Sequence, residues 1–306
     1  MDQPDDVVFY LERGLLQSAR EGRHNFIGLV SKCLSDAGLR VFFEPTGAEA
    51  HAASAARPGF SIFHMEDPGH PRALTFRRNY FYPFWQIERS ARRWEWRVAT
   101  EPFPGAIAER AEIERFVRFW RRKLFQSATE QTAPPGRGPI FVPLQGRITE
   151  HRSFQSCSPV EMIERTAARL PDRDILVTLH PKETYDDADF AALEGIEQRH
   201  RNVAVTARPA ETILPVCAAV VTQNSAVALE GFFFDKPAVL FAQIDFHHVA
   251  GNVPRDGEDA AFAALEAAPD YAGYLWWFLQ HMSINAGRPE ASAKIASVLR
   301  QHGWPV

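Results

Sequence analysis

Cysteine is scarce in this sequence of 306 residues, and Cys33, Cys157 and Cys217 lie far apart. Their odd number argues against a disulfide framework, and their spacing fits no zinc motif. Isolated thiols of this kind are typical of proteins that stay in a reducing compartment. We therefore expect three buried free thiols in a cytoplasmic protein.

Long hydrophobic runs are missing as well. The longest apolar stretches, such as YLWWFLQHM at 274–282, fall far short of the ~20 residues of a membrane-spanning helix. The first ten residues, MDQPDDVVFY, are acidic and lack the basic and then apolar order of a signal peptide. The sequence therefore predicts a chain without a membrane span.

Several familiar motifs are absent. The sequence contains no GxGxxG, P-loop or GxSxG motif, which argues against a dinucleotide-dependent enzyme, a P-loop kinase and a serine hydrolase. The histidines and acids between His64 and His70 match no zinc motif, and Pro68-Gly69 among them indicates a turn. We expect neither a metal nor a cofactor.

Charge of either sign is modest, with a net value of −4, but it is unevenly distributed. Between Pro71 and Glu130, 13 lysines and arginines stand against 7 acidic residues. A helix predicted from about Ile107 to Phe125 has an apolar stripe and a basic side. That side is either a solvated face or a surface for an acidic glycan, a nucleotide or an anionic membrane. No nucleic-acid motif accompanies it.

Proline and glycine mark one boundary. Residues Thr132 to Pro139 include three prolines and two glycines, as a linker would. The length and the 45% of apolar residues suit two globular domains. We predict a first domain over residues 1–132, a second over 138–270 and a helical tail over 271–306.

Both halves alternate strands with helices. In the first half, strands are predicted at Val7–Leu11, Leu39–Phe43 and Phe60–Met65, with a helix at Asn25–Ala37. The second half has five predicted strands: Ile140–Leu144, Ile175–Leu179, Val203–Thr206, Ala218–Thr222 and Ala238–Phe241. Helices are predicted between them, one of which opens with Ser158 as N-cap and Pro159 as the first helical residue. Alternation of this kind predicts an α/β fold with two Rossmann-like domains.

Polar residues follow two strands of the second half. His180-Pro181 ends the strand at 175–179, and Gln223-Asn224-Ser225 ends the strand at 218–222. A parallel sheet binds its ligand outside the carboxyl ends of its strands, so both groups are expected at one crevice. Asn224 and Ser225 are favoured N-cap residues, and a helix that begins there presents free N–H groups to an anion. The alternative is an ordinary turn and an ordinary cap.

Aromatic residues and arginines are mixed in FRRNYFYPFWQIERSARRWEWR at 76–97. One interpretation is an acceptor-binding surface, because aromatic rings stack on sugars and arginines pair with carboxylates. The other is an aromatic core strand followed by a basic helix. The residues to which the first interpretation assigns acceptor binding are Arg77, Arg78, Tyr82 and Trp85.

A resemblance rests on HPKE at 180–183 and QNSAVALEGFFFDKPAVLF at 223–241. These segments resemble the bacterial capsule polysaccharide biosynthesis proteins, a family that includes the β-Kdo transferases. The resemblance covers about residues 138 to 250. It implies a GT-B-like fold in which two Rossmann-like domains face a cleft and a helical tail packs back on the first domain.

The resemblance also implies functional residues. Phosphate and nucleotide binding would fall to His180, Pro181, Lys182, Gln223, Asn224, Ser225 and Glu230. The segment FVPLQGRITEHRSFQ at 141–155 loosely matches a family stretch near the catalytic centre, through Gln145 and Glu150. Glu150 is therefore our first choice of catalytic base, and Glu88 is the second.

The implied activity is that of an inverting, metal-independent glycosyltransferase with a nucleotide-sugar donor, preferably CMP-Kdo-like. Its acceptor would be an acidic glycan or glycolipid. Its place would be the cytoplasm, with peripheral association with the inner membrane or with other polysaccharide-assembly proteins. Two alternatives stay open at this point. A nucleotide-sugar 2-epimerase would share the two-domain layout and need no acceptor, and a non-catalytic nucleotide-sugar or glycan-binding protein would bind without turnover.

Overall fold

The computed structural model describes residues 3–105, 107–125, 133 and 136–306. The chain forms two compact units. Unit 1 comprises Met1–Glu101 and Phe278–Val306, and unit 2 comprises Pro102–Trp277. The proline-rich segment at 132–139 therefore falls within unit 2, although Thr132, Pro134 and Pro135 lie outside the described residues. The domain limits inferred from the sequence stay a prediction.

Unit 1 contains one six-stranded sheet. Its strands are β1 (Asp6–Leu11), β2 (Arg40–Pro45), β3 (Phe60–His64), β4 (Ala73–Arg78), β5 (Phe84–Glu88) and β12 (Ile284–Asn285). Their order is β12-β5-β4-β3-β1-β2, with β1 to β4 parallel and with β5 and β12 antiparallel to their neighbours. The helices of the unit are α1 (Arg13–Arg20), α2 (Asn25–Asp36), α3 (Ala48–Ala56), α4 (Arg97–Thr100) and α13 (Ala291–Gln301).

Helices cover both faces of this sheet. On one face, Phe26 of α2 stacks on Trp85 of β5 with ring centroids 4.7 Å apart, and Ile295 and Leu299 of α13 share the same core. On the other face, a smaller cluster joins Ala50 of α3 to β1, β3 and β4. The sheet is therefore wound on both sides, as the predicted Rossmann-like pattern requires.

The tail differs from its prediction in one element. Helices α11 (Glu258–Ala263), α12 (Tyr271–Leu275) and α13 are present, with a π-helical turn at Trp276–His281. Residues 271–306 are not helical throughout, however, because β12 intervenes and pairs Ile284 with Trp85. A strand of two residues leaves no periodic signal in the sequence.

Unit 2 contains a second six-stranded sheet, and all its strands are parallel. The strands are β6 (Ile140–Pro143), β7 (Ile175–Thr178), β8 (Val203–Val205), β9 (Ala219–Thr222), β10 (Ala238–Leu240) and β11 (Gly251–Asn252). The helices are α5 (Arg110–Phe125), α6 (Pro159–Arg169), α7 (Asp187–Arg199), α8 (Ala210–Ile213), α9 (Ala226–Phe232), α10 (Val253–Asp256), α11 and α12. The predicted parallel sheet is confirmed.

The order of the second sheet decides where a ligand can bind. That order is β11-β10-β9-β6-β7-β8, so the chain begins in the centre, moves outward to β8 and then restarts at β9 on the other side of β6. The connections after β6 and β9 therefore diverge, which opens a crevice at the carboxyl ends of these two strands. Among the described residues, no helix is long and apolar enough to cross a membrane.

Candidate functional site

A small pocket lies where the second sheet reverses its order. Thr222 at the end of β9 donates a hydrogen bond from Oγ1 to the carbonyl oxygen of Pro143 at the end of β6, at 3.0 Å, and joins the two strand ends. Its free space amounts to about 200 Å³, part of it open to solvent, and none of it is wide enough for a water molecule, so a ligand binds here only if the pocket widens. Its lining comes from both strand ends, from the loop after β6 and from α6: Pro143, Leu144, Gln145, Arg152, Pro159, Met162, Thr222 and Gln223.

Two buried polar atoms at this pocket have no hydrogen-bond partner within the described part of the chain. Gln223 is 4% exposed, and its Nε2 donates to the carbonyl oxygen of Cys157 at 3.0 Å, whereas its Oε1 is unpaired. The Nε of Arg152 is also buried and unpaired. Unpaired polar atoms in a protein interior are rare and costly. They mark a place where a polar ligand would complete the hydrogen bonds once the pocket widens.

Arg152 is the strongest charge at the pocket. Burial lowers the pKa of its guanidinium, as does the nearby positive charge of Arg147. The guanidinium lies over the ring of Phe154, 4.9 Å from its centroid. A half-buried arginine in this position suits a phosphate or a carboxylate, because either anion would restore the hydrogen bonds and the charge balance that burial removes.

The HPKE turn follows β7 and fixes one imidazole. The Nδ1 of His180 accepts a hydrogen bond from the backbone N–H of Lys182 at 3.2 Å. The backbone N–H of His180 donates to the Tyr185 hydroxyl at 2.9 Å, which holds the start of the turn. Since Nδ1 accepts, the proton of the neutral ring lies on Nε2, which can then donate to an anion.

The loop after β6 reaches the same turn. A Cβ atom at Gly146 would lie 2.5 Å from Oε2 of Glu183, so glycine allows the loop to approach the HPKE turn closely. Arg147 follows with a φ of 59°, a left-handed conformation that turns the chain. Glu150, three residues on, is exposed and forms an ion pair with Arg147 at 3.5 Å.

The residues after β9 begin α9 as predicted. Ser225 is the N-cap, and its Oγ accepts a hydrogen bond from the backbone N–H of Val227 at 3.3 Å. Asn224 is half-buried beside it. Gln223, Asn224 and His180 thus follow strands on either side of β6, at one edge of the sheet. Their roles in phosphate binding stay a prediction.

Glu230 is half-buried in α9, and Lys236, which follows the helix, is fully buried. Burial raises the pKa of Glu230 to about 7, and the negative charge of Glu211 adds to the effect. Lys236 is 1% exposed, and its Nζ donates to the carbonyl oxygen of Ala133 at 3.2 Å. Lys236 therefore ties the chain before β6 to the end of α9, whereas Glu230 holds its proton near neutral pH.

The predicted acceptor-binding residues and the second candidate base lie in unit 1, where some of them are exposed and others are buried. Tyr82 is 53% exposed, and Arg78 is exposed at the end of β4, next to the half-buried Arg77. Trp85 is 5% exposed and stacked on Phe26, as in the alternative of an aromatic core strand. Glu88 is 6% exposed, and its carboxylate accepts a hydrogen bond from the backbone N–H of Arg97 at 3.3 Å.

Arg152 and Gln155 were not anticipated from the sequence. The Oε1 of Gln155 accepts a hydrogen bond from the backbone N–H of Arg152 at 2.8 Å and so shapes the loop that carries the arginine. The loop between β6 and α6 has no periodic pattern that would place its side chains. The only available signal was a basic residue in a long connection after a central strand.

No protein-family model and no curated protein matches the chain. Among solved structures, the β-Kdo 2,7 transferase KpsC of Thermosulfurimonas dismutans is similar over 96% of this chain and 99% of its own, with 12% identity and a TM-score of 0.52. The chain shares the fold of this transferase. The predicted GT-B-like α/β fold with a helical carboxyl-terminal segment is confirmed, as is the resemblance to the β-Kdo transferases at the level of fold.

Two further similarities are weaker. The β-Kdo 2,4 transferase KpsC of the same organism is 14% identical, over 89% of this chain and 90% of its own, with a TM-score of 0.47. The wall teichoic acid polymerase TagF is 11% identical, over 98% of this chain and 89% of its own, with a TM-score of 0.35. These two scores are too low to say more about the fold.

Proposed function

We propose that this protein is a glycosyltransferase of surface-polysaccharide biosynthesis that transfers a sugar from a nucleotide donor to a glycan or glycolipid acceptor. The observation that carries the proposal is the pocket at the order reversal of the second sheet, with the unpaired Oε1 of Gln223 and the half-buried Arg152. The fold shared with a β-Kdo transferase supports the same class of reaction. A CMP-linked donor, preferably CMP-Kdo-like, is the finer part of the proposal.

The donor would be held through its phosphate. His180 donates from Nε2 to a phosphate oxygen, and Arg152 supplies a positive charge on the same edge of the sheet. In a single displacement, the acceptor hydroxyl loses its proton to the carboxylate base and its oxygen bonds to the anomeric carbon. The bond between that carbon and the phosphate oxygen breaks, and the nucleotide takes the electron pair. His180 then stabilises the charge that develops on the departing phosphate. This step inverts the anomeric centre and uses no metal.

The other predicted site residues keep their proposed roles. Pro181 and Lys182 complete the HPKE turn, Asn224 and Ser225 present the start of α9, and Glu230 lies further along α9. Glu150 and Glu88 are the carboxylates proposed as catalytic base, of which the first is exposed and the second is buried. Arg77, Arg78, Tyr82 and Trp85 are proposed to bind the acceptor, although only Tyr82 and Arg78 are exposed.

Nucleotide binding tests this proposal directly. Isothermal titration calorimetry with CMP, UDP, GDP and ADP should show binding of one nucleotide. His180→Ala should weaken that binding by about 10- to 100-fold, because a hydrogen bond to a charged group contributes about 1.5–3 kcal/mol. His200→Ala is the matched control, since His200 precedes β8 at the opposite edge of the same sheet.

The outcomes separate the alternatives. Absence of binding by all four nucleotides would refute the proposal. Binding without transfer to any acceptor would favour a non-catalytic binding protein. Interconversion of the donor sugar without an acceptor would favour the 2-epimerase. Transfer with retained configuration, or activity that is lost with a chelator, would refute the finer proposal of an inverting, metal-independent reaction.

The basic side of α5 supports a further part of the proposal, peripheral contact with an anionic membrane. From Arg115 onward, this helix has no acidic residue and exposes Arg115, Arg118, Phe119, Arg122 and Lys123. Phe119 is 52% exposed, and the Nζ of Lys123 lies 5.8 Å from the centroid of its ring. A ring among cations suits the boundary between lipid headgroups and acyl chains.

Vesicle sedimentation tests the membrane contact. Vesicles of phosphatidylglycerol and phosphatidylcholine should bind the protein, and phosphatidylcholine alone should not. Replacement of Arg115, Arg118 and Arg122 by glutamine should weaken binding by about 150-fold, at about 1 kcal/mol per charge. Phe119→Ser should weaken it further, whereas Phe190→Ser, which removes an equally exposed ring from α7, should not. Equal binding by all variants would refute the proposal.

A further inference from the structure

A second cavity of unit 2, the α5 pocket, lies between α5, the end of α9 and α12. It is open to solvent and offers about 290 Å³ of space, near the lower end of the ~300–1,000 Å³ of small-molecule sites. Asp235 in its lining shortly precedes β10, so the cavity lies at the amino-terminal edge of the second sheet. The pocket at the order reversal lies at the carboxyl edge, and the two share no lining residue among those described.

Helix α5 forms a basic wall of this pocket. Its contribution follows the three- and four-residue spacing of one helix face: Arg110, Glu114, Val117, Arg118 and Arg121. The charge of Arg110 is balanced, because its Nε donates to Oε1 of Glu114 at 3.1 Å and its Nη1 donates to Oδ1 of Asp270 at 2.9 Å. The charges of Arg118 and Arg121 are not balanced, since neither arginine forms an ion pair or a hydrogen bond with another described residue.

Arg121 holds part of its guanidinium away from water. Its Nε is buried and has no hydrogen-bond partner in the described part of the chain. The guanidinium carbon lies 4.6 Å from the centroid of the Phe234 ring, and Phe125 packs edge-on against that ring at 4.9 Å. An unpaired buried donor costs free energy, and hydrogen bonds from an arginine to a phosphate or carboxylate would offset that cost. This end of the pocket therefore suits an anion.

The other surfaces of the pocket limit the kind of anion. Phe232 and Phe233 at the end of α9 are buried, and Phe232 stacks on Tyr271 with the centroids 5.1 Å apart, so part of the lining is apolar and firmly packed. Glu114 and Asp235 are exposed carboxylates of the lining. Carboxylates accept hydrogen bonds from hydroxyl groups and repel a ligand with several negative charges. A single phosphate group on a hydroxyl-bearing skeleton therefore fits better than a diphosphate or a triphosphate.

We propose that the α5 pocket binds the monophosphate ester of a sugar or of another small polyol. Arg118 and Arg121 bind the phosphate, and the hydroxyl groups donate to Glu114 and Asp235. The carbon skeleton packs against Val117. The inference does not depend on the proposed glycosyltransferase function, because the α5 pocket is separate from the candidate donor site.

Two sources can supply this chemistry. Arg118 belongs both to the α5 pocket and to the basic side of α5 for which we propose membrane contact. A free sugar phosphate enters the pocket from solution, whereas the headgroup of a polyol phospholipid enters it from the membrane surface. Both present the same phosphate and hydroxyl groups to the pocket.

Calorimetry with glucose 6-phosphate tests the free ester. The wild type should bind it about 10-fold more tightly than inorganic phosphate, because the hydroxyl groups add hydrogen bonds. Arg121→Gln should weaken binding by about 10- to 100-fold through the loss of a charge-assisted hydrogen bond, and Arg121→Lys should weaken it less. Val117→Trp should abolish binding, since the indole ring fills the pocket. Ala272→Leu fills the same pocket from α12 and replaces Val117→Trp if circular dichroism shows that the tryptophan variant does not fold.

A matched control separates this site from general attraction of anions. Arg201 is an exposed arginine of the same unit that precedes β8 and lies outside the pocket lining. Arg201→Gln removes the same charge as Arg121→Gln and should leave the affinity for glucose 6-phosphate unchanged. Saturating CMP should not displace the ester, because the candidate donor site is at the other edge of the sheet.

Vesicles distinguish the two sources of the ester. Phosphatidylglycerol presents a phosphate with a hydroxyl-bearing headgroup, whereas phosphatidylserine has the same net charge without the polyol. If a lipid headgroup occupies the pocket, Val117→Trp should bind vesicles of phosphatidylglycerol about 10-fold more weakly than the wild type and vesicles of phosphatidylserine equally well. If the free ester occupies it, Val117→Trp should bind both kinds of vesicle like the wild type and lose only glucose 6-phosphate.

The inference would be overturned if neither glucose 6-phosphate nor phosphatidylglycerol vesicles distinguished Val117→Trp from the wild type. An equal loss of affinity in Arg201→Gln and Arg121→Gln, or displacement of the ester by CMP, would also overturn it. A protein that binds the ester as described but binds no nucleotide would instead refute the proposed function and leave this inference standing.

Discussion

Replacement of Gln223 by methionine separates the contribution of this side chain to stability from its contribution to ligand binding. Methionine has nearly the volume of glutamine but lacks its polar atoms. In the free protein, the change removes one hydrogen bond, from Nε2 to the carbonyl oxygen of Cys157. It also removes the Oε1 that is buried without a partner.

The two effects on stability oppose each other. Loss of the hydrogen bond costs about 1 kcal/mol, and removal of an unpaired buried oxygen returns about 1–3 kcal/mol. We therefore expect the free energy of unfolding of Gln223→Met to equal or exceed that of the wild type by up to about 2 kcal/mol. Nucleotide binding should weaken by about 5- to 100-fold, because the ligand then loses a partner that the wild type had already desolvated.

Urea denaturation and calorimetry with the bound nucleotide measure both quantities on one preparation. Gln86→Met is the matched control, because Gln86 is also buried but lies in unit 1, where its Nε2 donates to Ser283. It should be destabilised by about 1 kcal/mol and should bind nucleotide normally. The reasoning would be refuted if Gln223→Met were destabilised by about 2 kcal/mol or more while its nucleotide affinity stayed unchanged.

Two further predictions concern buried side chains. The pKa of Glu230 is raised to about 7, so the protonated acid favours the folded state, and this stabilisation is lost as pH rises from about 4.5 to about 7. Glu230→Gln should therefore gain about 1–2 kcal/mol over the wild type at pH 8 and little at pH 5, and an equal effect at both values in urea denaturation would contradict this. Trp85→Ala should cost about 3–5 kcal/mol because the ring fills the core, whereas Tyr82→Ala should cost less than about 0.5 kcal/mol. Similar losses in the two variants would contradict the burial of Trp85.

Most of the second sheet could be predicted because its local signals agree. Helix α7 (Asp187–Arg199) lies between two predicted strands, as the alternating pattern predicts, and the N-cap predicted at Ser158 forms a capping box with Glu161. Short apolar runs bounded by polar residues identified β6 to β10. In such elements, local propensity and tertiary packing favour the same structure.

The missed elements lack those signals. Helix α3 consists largely of alanine, so it has no apolar period that would distinguish it from a loop. Strand β4 ends within the segment of aromatics and arginines and β5 lies inside it, where burial of Trp85 depends on its contact with α2. Tertiary contacts of this kind leave no trace in the local sequence.

Candidate site residues, too, could be predicted only where a regular element positions them. His180 and Gln223 could be named because each follows a strand, and the order of a parallel sheet brings strand ends together. Arg152 could not, because its place depends on the course of an irregular loop.

Unit 1 is built from two separate stretches of the chain, and this affects how it folds during synthesis. Unit 2 is contiguous in sequence, so all of it has left the ribosome once Trp277 has emerged. Unit 1 begins first but ends last, since its edge strand β12 and the helix α13 that covers α2 come from residues after 277. Domains usually mature in the order of synthesis. Here the first sheet cannot be completed until residues 278–306 have been synthesised. Until then, the apolar face around Phe26 and Trp85 is incompletely covered.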